Sequence, residues 1–130
     1  MEAAAITTTP FERMGGEPAV RRLVDHFYRI MDESAEARPI RAMHAKDLNP
    51  MRERLTEYLT AWLGGPRHYF ERADSKCIMS AHSPYAIGEA ERDQWMTCMR
   101  SALDQAAIDG EVRALVEPAL ARVADALRNR

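Results

Sequence analysis

The chain has 130 residues and a net charge of −2, and 46% of its residues are hydrophobic, which suffices for one domain with a real core and not for two. A pI near 6.1 gives no reason to expect a nucleic-acid partner. No run approaches the roughly 18 continuous apolar residues of a membrane span, and the first residues do not resemble a signal peptide. We therefore expect a cytoplasmic protein in which Cys77 and Cys98 are reduced thiols.

Residues 1–9 are small and polar, so we expect a loose N-terminal segment followed by a single domain over residues 10–130. The domain begins with a short helix predicted around residues 11–14, which ends at a pair of glycines. No internal repeat or low-complexity tract divides the rest of the chain.

The second helix is predicted over about residues 17–32, with Pro18 in its first turn, where a missing N–H does no harm. Apolar residues recur along it every three or four positions and predict one buried face. This face consists of Val20, Leu23, Val24, Phe27, Ile30 and Met31.

A piece of one to two turns over residues 37–43 leads into a loop that contains His44. The next helix is predicted over residues 49–63, with Asn49 as its N-cap and Pro50 as its first residue, and a Gly-Gly-Pro run ends it. Its predicted buried stripe consists of Leu55, Tyr58, Leu59 and Trp62.

A loose segment over residues 67–76 leads to His82, after which Pro84 prevents a regular helix from continuing. A long helix is predicted over about residues 89–108, and acidic residues in its first turn suit the positive N-terminus. The residues that share one buried stripe of this helix are Trp95, Cys98, Met99, Ala102 and Ala106.

Asp109 is the predicted N-cap of the last helix, which Pro118 should bend or deprive of one hydrogen bond. The residues predicted to face inward from this helix are Val112, Leu115, Val116, Leu120, Val123 and Leu127. Because no stretch alternates with a period of two residues, we predict an all-α domain.

The segment from His82 to Leu103, HSPYAIGEAERDQWMTCMRSAL, resembles the proximal-histidine segment of group II truncated (2-on-2) haemoglobins. It matches the pattern H-x-P-Y-x-I-G-x-x-x-R-D-x-W-x-x-C-M-x-x-A-L. The glycine breaks at Gly15-Gly16 and Gly64-Gly65-Pro66 have the spacing seen in truncated globins, so the resemblance runs from about Phe11 to near the end of the chain. It implies a 2-over-2 sandwich of two antiparallel helix pairs around one haem.

From the residues alone, a histidine just before a proline is most often an ordinary loop residue. The resemblance implies that His82 is the axial ligand of haem b (iron protoporphyrin IX), because a neutral imidazole on an apolar wall suits haem iron as its fifth ligand.

Three residues are predicted to face the bound diatomic ligand. Tyr28 resembles the family's distal tyrosine, although a buried tyrosine usually satisfies its hydroxyl on another protein group. Trp95 matches the tryptophan that marks groups II and III, although a tryptophan in such a stripe commonly just packs helices together. His44 lies where the family places Tyr, Phe or His against the haem, and the alternative is a solvent-facing loop histidine. His44 is also a candidate sixth iron ligand in the ligand-free state.

Met51 and Leu55 resemble the distal-helix positions that face the iron, and no distal histidine of the myoglobin type is present. Arg54 resembles the residue that pairs with a haem propionate, and a solvated arginine is nearly as good an interpretation. The predicted set of haem contacts also includes Tyr58 and Met99, the latter as a proximal core residue and not as an iron ligand.

The chain departs from the family pattern at two positions. Ala81 precedes His82 where an arginine is common, so one usual propionate contact is in doubt, and Arg72 or Lys76 is a candidate substitute. Tyr85 follows Pro84 in place of the usual phenylalanine. Two other histidines, His26 and His68, fall outside the pattern and are interpreted as surface or interhelical residues.

The function predicted from the resemblance is binding of dioxygen and other diatomic ligands, with slow release because of the Tyr and Trp donors. The alternative is a redox enzyme, a nitric oxide dioxygenase or a peroxidase-like catalyst, that needs an external reductase. A third hypothesis is a haem-free helical interaction module, which predicts that replacing His82 leaves fold and partner binding intact. The oligomeric state, monomer or homodimer, is left open.

Overall fold

Residues 8–71 and 77–130 are described by a computed structural model, and every regular element within these two ranges is helical. In this part of the chain the α-helices are α1 (Pro10–Met14), α2 (Glu17–Glu33), α3 (Arg38–Ala42), α4 (Asn49–Trp62), α5 (His68–Glu71), α6 (Ile78–His82), α7 (Glu89–Gln105) and α8 (Gly110–Ala126). A 3₁₀ turn over Ala35–Ala37 precedes α3. The predicted all-α fold is therefore confirmed. None of the described helices is long and apolar enough to cross a membrane.

Four long helices form the frame of the domain. The helix α2 packs against α4, α7 packs against α8, and contact between α2 and α7 joins these two pairs. The apolar face predicted for α2 is at the centre, with Phe27, Val24 and Met31 fully shielded from solvent. Burying one such large side chain contributes about 1.5–3 kcal/mol, so the α2 face is a main source of stability.

The short helix α1 docks on the end of α4 at the glycine pair. The N–H of Phe11 donates to the Leu63 carbonyl at 3.0 Å. Gly64 has a φ of 99°, which glycine adopts without strain, and a Cβ atom on Gly65 would lie 2.9 Å from the Phe11 ring. The double glycine therefore both ends α4 and lets α1 approach closely. Thr9 belongs to the segment predicted to be loose, yet its hydroxyl accepts the Glu12 N–H and caps α1.

The start of α4 differs from the prediction. Leu48 occupies the N-cap position, and Asn49 is the first helical residue. The Asp47 carboxylate accepts the Asn49 N–H at 3.0 Å, while the Asn49 side chain accepts a hydrogen bond from Arg52. Asp47, two residues before the first helical residue, therefore caps the helix, because its carboxylate accepts the free N–H of Asn49.

The helix α8 confirms one prediction and corrects another. Asp109 is its N-cap and accepts the Glu111 and Val112 N–H groups, and Pro118 is contained in an uninterrupted helix. Leu115 was predicted to face inward but is 60% exposed. The face that packs on α7 runs through positions 112, 116, 120 and 124. Leu115 lies about 120° from the centre of that face, at about 100° per residue.

The segment predicted to be loose over residues 67–76 contains the helical turn α5. Two backbone N–H groups of this turn, from Phe70 and Glu71, donate to the Arg67 carbonyl. Tyr58 of α4 meets the rings of Tyr69 and Phe70 edge to face, with centroids 5.3 and 6.0 Å away. These aromatic contacts hold the turn against α4, which the pattern of residues 67–71 alone did not indicate.

Candidate functional site

His82 is the last residue of α6 and is half-buried. Its Nδ1 lies 2.7 Å from the carbonyl oxygen of Ile78, one helical turn earlier. Because a carbonyl only accepts hydrogen bonds, Nδ1 must carry the proton and donate. In the neutral ring this leaves the lone pair on Nε2, the tautomer that binds a metal through Nε2.

His44 follows α3 and repeats this arrangement. Its Nδ1 lies 2.8 Å from the Ile40 carbonyl oxygen, so the proton is again on Nδ1 and the Nε2 lone pair is free. Burial lowers the pKa of His44 below its usual range, and the charges of Arg41 and His82 lower it further against the opposing bond to Ile40. The imidazole is therefore half-buried, within electrostatic reach of His82, and neutral at pH 7.

Tyr28 of α2 is 5% exposed, and its ring meets the His44 ring edge to face at 5.9 Å. Burial raises the pKa of Tyr28 well above its ordinary value, with Arg52 opposing the shift, so the hydroxyl stays protonated at neutral pH. Within residues 8–71 and 77–130 the hydroxyl has no hydrogen-bond partner. The hydroxyl oxygen is not among the fully buried atoms that lack a partner, so this donor reaches open space in which a bound molecule could accept its hydrogen bond.

Trp95 of α7 is half-buried, and its ring lies 5.1 Å from Phe27 with the two planes tilted by 59°. Phe27 also meets Tyr28 at 5.0 Å, so one phenylalanine contacts both predicted donors. The indole N–H can only donate, and no described residue accepts from it. Phe27 was predicted only as a core residue, because a sequence pattern does not show which side chains a buried ring contacts.

The predicted residues of α4 lie on two faces. Met51, Leu55 and Tyr58 are half-buried and pack against the core. Arg54 is exposed and is joined to no other described residue by a hydrogen bond or ion pair. Its neighbour Arg52 reaches α2 instead, with Nε 3.6 Å from Asp25 Oδ1. Arg54 is thus a free cation at the edge of the helix that carries the predicted distal wall.

The remaining predicted residues are dispersed. Met99 is fully buried in the core, and Ala81 is half-buried beside His82. The candidate propionate partners Arg72 and Lys76 lie outside the described residues. Tyr85 is 43% exposed. Of the histidines outside the pattern, His68 is exposed, and His26 is half-buried with its Nδ1 2.7 Å from an Arg29 guanidinium nitrogen.

The donor set suits a metal that brings its own equatorial ligands. Among the described residues, no three His, Cys, Asp or Glu side chains are grouped to hold a bare metal ion. His82 and His44 each offer the lone pair of one Nε2, and the His44 ring lies edge to face with that of Tyr28. A haem supplies four nitrogens itself and needs one or two axial imidazoles from the protein, so these residues fit that group.

A separate groove of about 610 Å³ lies between α7 and α8. Its lining includes Arg92, Arg100, Arg122 and Asp125. Arg92 is already paired with Asp125 at 2.5 Å, and none of the predicted site residues reaches this groove. It is therefore distinct from the site built around His82.

The sequence and the fold of this chain are similar to those of known proteins. The sequence model of the family described as bacterial-like globin matches residues 9–129. The chain is 32% identical over 104 residues to the group 2 truncated hemoglobin YjbI of Bacillus subtilis (strain 168), which covers 80% of this chain and 76% of that protein. The fold of this chain is similar to that of a group II 2-on-2 hemoglobin from Agrobacterium tumefaciens, with a TM-score of 0.90 and 35% sequence identity. The match covers 99% of this chain and 98% of that chain. A truncated oxygen-avid haemoglobin from Bacillus subtilis gives a TM-score of 0.83 at 30% identity, with 93% of this chain and 99% of that chain covered.

Proposed function

Because this chain belongs to the bacterial-like globin family and is a truncated 2-on-2 globin of the group II type, we propose that it binds haem b through His82. We further propose that it holds dioxygen, and other diatomic molecules such as CO and NO, under the hydrogen-bond donors Tyr28 and Trp95. The oxygen-avid relative of similar fold supports oxygen as a ligand. The haem supplies the iron atom to which such a molecule coordinates.

The observation that carries the proposal is the combination of a free Nε2 on His82 with two donors that lack partners. The bond from His82 Nδ1 to Ile78 orients the ring and selects the tautomer needed for an axial ligand. The rings of Tyr28 and Trp95 both contact Phe27, with centroids 5.0 and 5.1 Å from the centroid of its ring. Both groups would donate to a diatomic ligand that carries partial negative charge.

The strength of these bonds sets the rate of release. A hydrogen bond to such a partially charged ligand contributes on the order of 1 kcal/mol or more, so the two bonds from Tyr28 and Trp95 slow dissociation by tens of times or more. Such slow release suits tight binding and not bulk delivery of oxygen. His44, held neutral by burial and with its Nδ1 proton on the Ile40 carbonyl, adds an Nε2 that can accept a hydrogen bond and cannot donate one.

The other predicted residues complete the pocket in this proposal. Met51 serves as a flexible apolar gate, and Leu55, Tyr58 and Met99 provide apolar surface that excludes water. Arg54, which has no partner among the described residues, pairs with a haem propionate at the rim.

The test is the visible absorption spectrum of the purified protein in the ferric, dithionite-reduced and CO-bound forms, compared with His82→Ala. We expect a Soret band that shifts on reduction and on CO binding in the wild type, and that is lost or altered in the variant. His68→Ala replaces an exposed histidine outside the site and should leave the spectra unchanged. A protein that stays colourless after titration with haemin would overturn the proposal.

A further inference from the structure

The last residues of the chain return to the segment that follows His82. Beyond α8, the backbone N–H groups of Asn129 and Arg130 both donate to the Ile87 carbonyl, at 2.8 and 3.2 Å. The Asn129 side chain adds two bonds. Its Nδ2 donates to the Tyr85 carbonyl at 2.7 Å, and its Oδ1 accepts the Ile87 N–H at 2.9 Å. Four hydrogen bonds thus connect the end of the chain to the three residues 85–87.

This arrangement is more than the ending of α8. The helix closes on its own carbonyls, since the Leu127 N–H donates to Val123 and Ala124 and the Arg128 N–H donates to Asp125. The side-chain amide of Asn129 takes no part in closing the helix. Its donor and its acceptor both bond to the segment of residues 85–87. The planar amide of Asn129 carries an acceptor and a donor side by side, which matches the Ile87 N–H and the Tyr85 carbonyl two residues apart.

The bound segment leads directly to His82. The Tyr85 N–H donates to the His82 carbonyl at 3.0 Å, so the backbone of Tyr85 is held by His82 on one side and by Asn129 on the other. After this segment, the N–H of Gly88 donates to the Glu91 carboxylate in the first turn of α7, the helix that carries Trp95. Residues 85–87 therefore link the proximal histidine to the helix of the distal tryptophan.

Packing alone does not hold this segment in place. Tyr85 is 43% exposed, and Pro84 and Ala86 are also exposed. Ile87 is the half-buried residue of the stretch. With so little apolar surface covered, the conformation of residues 84–87 depends on its hydrogen bonds.

We propose that Asn129 is a positioning residue for His82, which fixes residues 85–87 and thereby the direction in which the imidazole points into the pocket. The inference rests on the proposed function, in which His82 ligates the haem iron. Removing the Asn129 amide frees the Tyr85 carbonyl and the Ile87 N–H, and the end of α6 then samples more than one orientation.

The experiment uses the haem-loaded ferrous protein without added ligand, and it compares the wild type with Asn129→Ala and Asn129→Asp. We expect the iron–histidine stretching band in resonance Raman spectra to shift or split in Asn129→Ala. Haem transfer to excess apomyoglobin should become about five times faster or more, as expected for the loss of two hydrogen bonds. Asn129→Asp keeps the acceptor for the Ile87 N–H and loses the donor to Tyr85, so its effect should be smaller. The stretching frequency of bound CO, which reports on Tyr28 and Trp95, should stay unchanged.

Asp109→Ala is the matched control, because it removes the N-cap at the opposite end of the same helix and does not touch residues 85–87. It should lower the melting temperature and leave the iron–histidine band unchanged. If Asn129→Ala behaves in the same way, with a lower melting temperature and neither a changed band nor faster haem loss, Asn129 has only a structural role and the inference is wrong.

Amide hydrogen exchange separates this failure from that of the proposed function. The Ile87 amide should be protected in the wild type and should lose protection in Asn129→Ala, with or without haem. A wild-type protein that takes up no haem overturns the proposed function and the positioning role together, even if the Ile87 amide is protected. A normal haem spectrum combined with an unchanged iron–histidine band overturns the positioning role alone.

Discussion

The ring centroids of Trp95 and Phe27 lie 5.1 Å apart, with the ring planes tilted by 59°. The indole therefore packs on the core residue that also contacts Tyr28. A tryptophan placed in this way packs two helices together, and in the proposed function its N–H also donates to the bound ligand. These two functions can be separated by a substitution that keeps an aromatic ring and removes the donor.

We expect Trp95→Phe to speed oxygen dissociation about tenfold or more, because it removes one hydrogen bond to a partially charged ligand. Stopped-flow displacement of oxygen measures this rate directly. Trp62→Phe is the control, since it makes the same change at a half-buried tryptophan of α4 that has no predicted contact with the ligand. An off-rate unchanged by Trp95→Phe would remove Trp95 from the ligand network.

Tyr28→Phe should speed oxygen release while leaving the fold intact. The ring contacts with Phe27 and His44 remain, and the deleted hydroxyl has no hydrogen bond to any described residue. We expect the oxygen off-rate to rise much more than the CO off-rate, because bound CO carries less negative charge for a donor to stabilise. Urea unfolding should show a free energy of unfolding within about 1 kcal/mol of the wild type. Equal acceleration for both gases would indicate a steric role for Tyr28.

His44 should make the stability of the haem-free protein depend on pH. Burial lowers the pKa of His44 in the folded state, so between that pKa and about 6.5 the unfolded chain binds more protons. The stability that comes from neutral His44 is therefore fully present above about pH 6.5 and is lost as the pH falls toward the folded-state pKa. Urea unfolding at several pH values should show a shallower slope for His44→Phe than for the wild type.

Gly65→Ala should destabilise the docking of α1. The new Cβ would lie 2.9 Å from three atoms of the Phe11 ring, which is too close without a shift of the helix. A cost of about 1–3 kcal/mol is typical of such overpacking. Gly110→Ala is the control, because no atom lies within 4 Å of its Cβ and alanine favours the helix that begins there. Thermal unfolding of the two variants should therefore move in opposite directions, and equal melting temperatures would contradict the proposed close contact.

The sequence predicts the fold well wherever one strong local pattern decides. The apolar spacing of α2, the Asp109 cap and the glycine breaks each have a mechanism that acts within a few residues, and each is seen in the structure. Leu115 is different, because which side of α8 is buried depends on how that helix packs against α7. The turn α5 depends in the same way on aromatic partners in α4.

The site shows the same limit. The resemblance singled out His82, Tyr28 and Trp95 by the identity and spacing of residues. It did not indicate that Phe27 contacts both donors, because Phe27 in α2 and Trp95 in α7 are 68 residues apart in the sequence. The contacts of Asn129 could not be predicted either, since this asparagine belongs to no local pattern and its partners lie more than 40 residues earlier.

Both imidazoles, His44 and His82, use a main-chain carbonyl one helical turn back to fix their protonation pattern. Every amino acid supplies that carbonyl, so no side-chain replacement at position 40 or 78 can delete the acceptor. The choice between the two tautomers is therefore encoded by the helical backbone and is robust to point mutation. Substitutions around each ring can change its surroundings without removing the acceptor that leaves the Nε2 lone pair free.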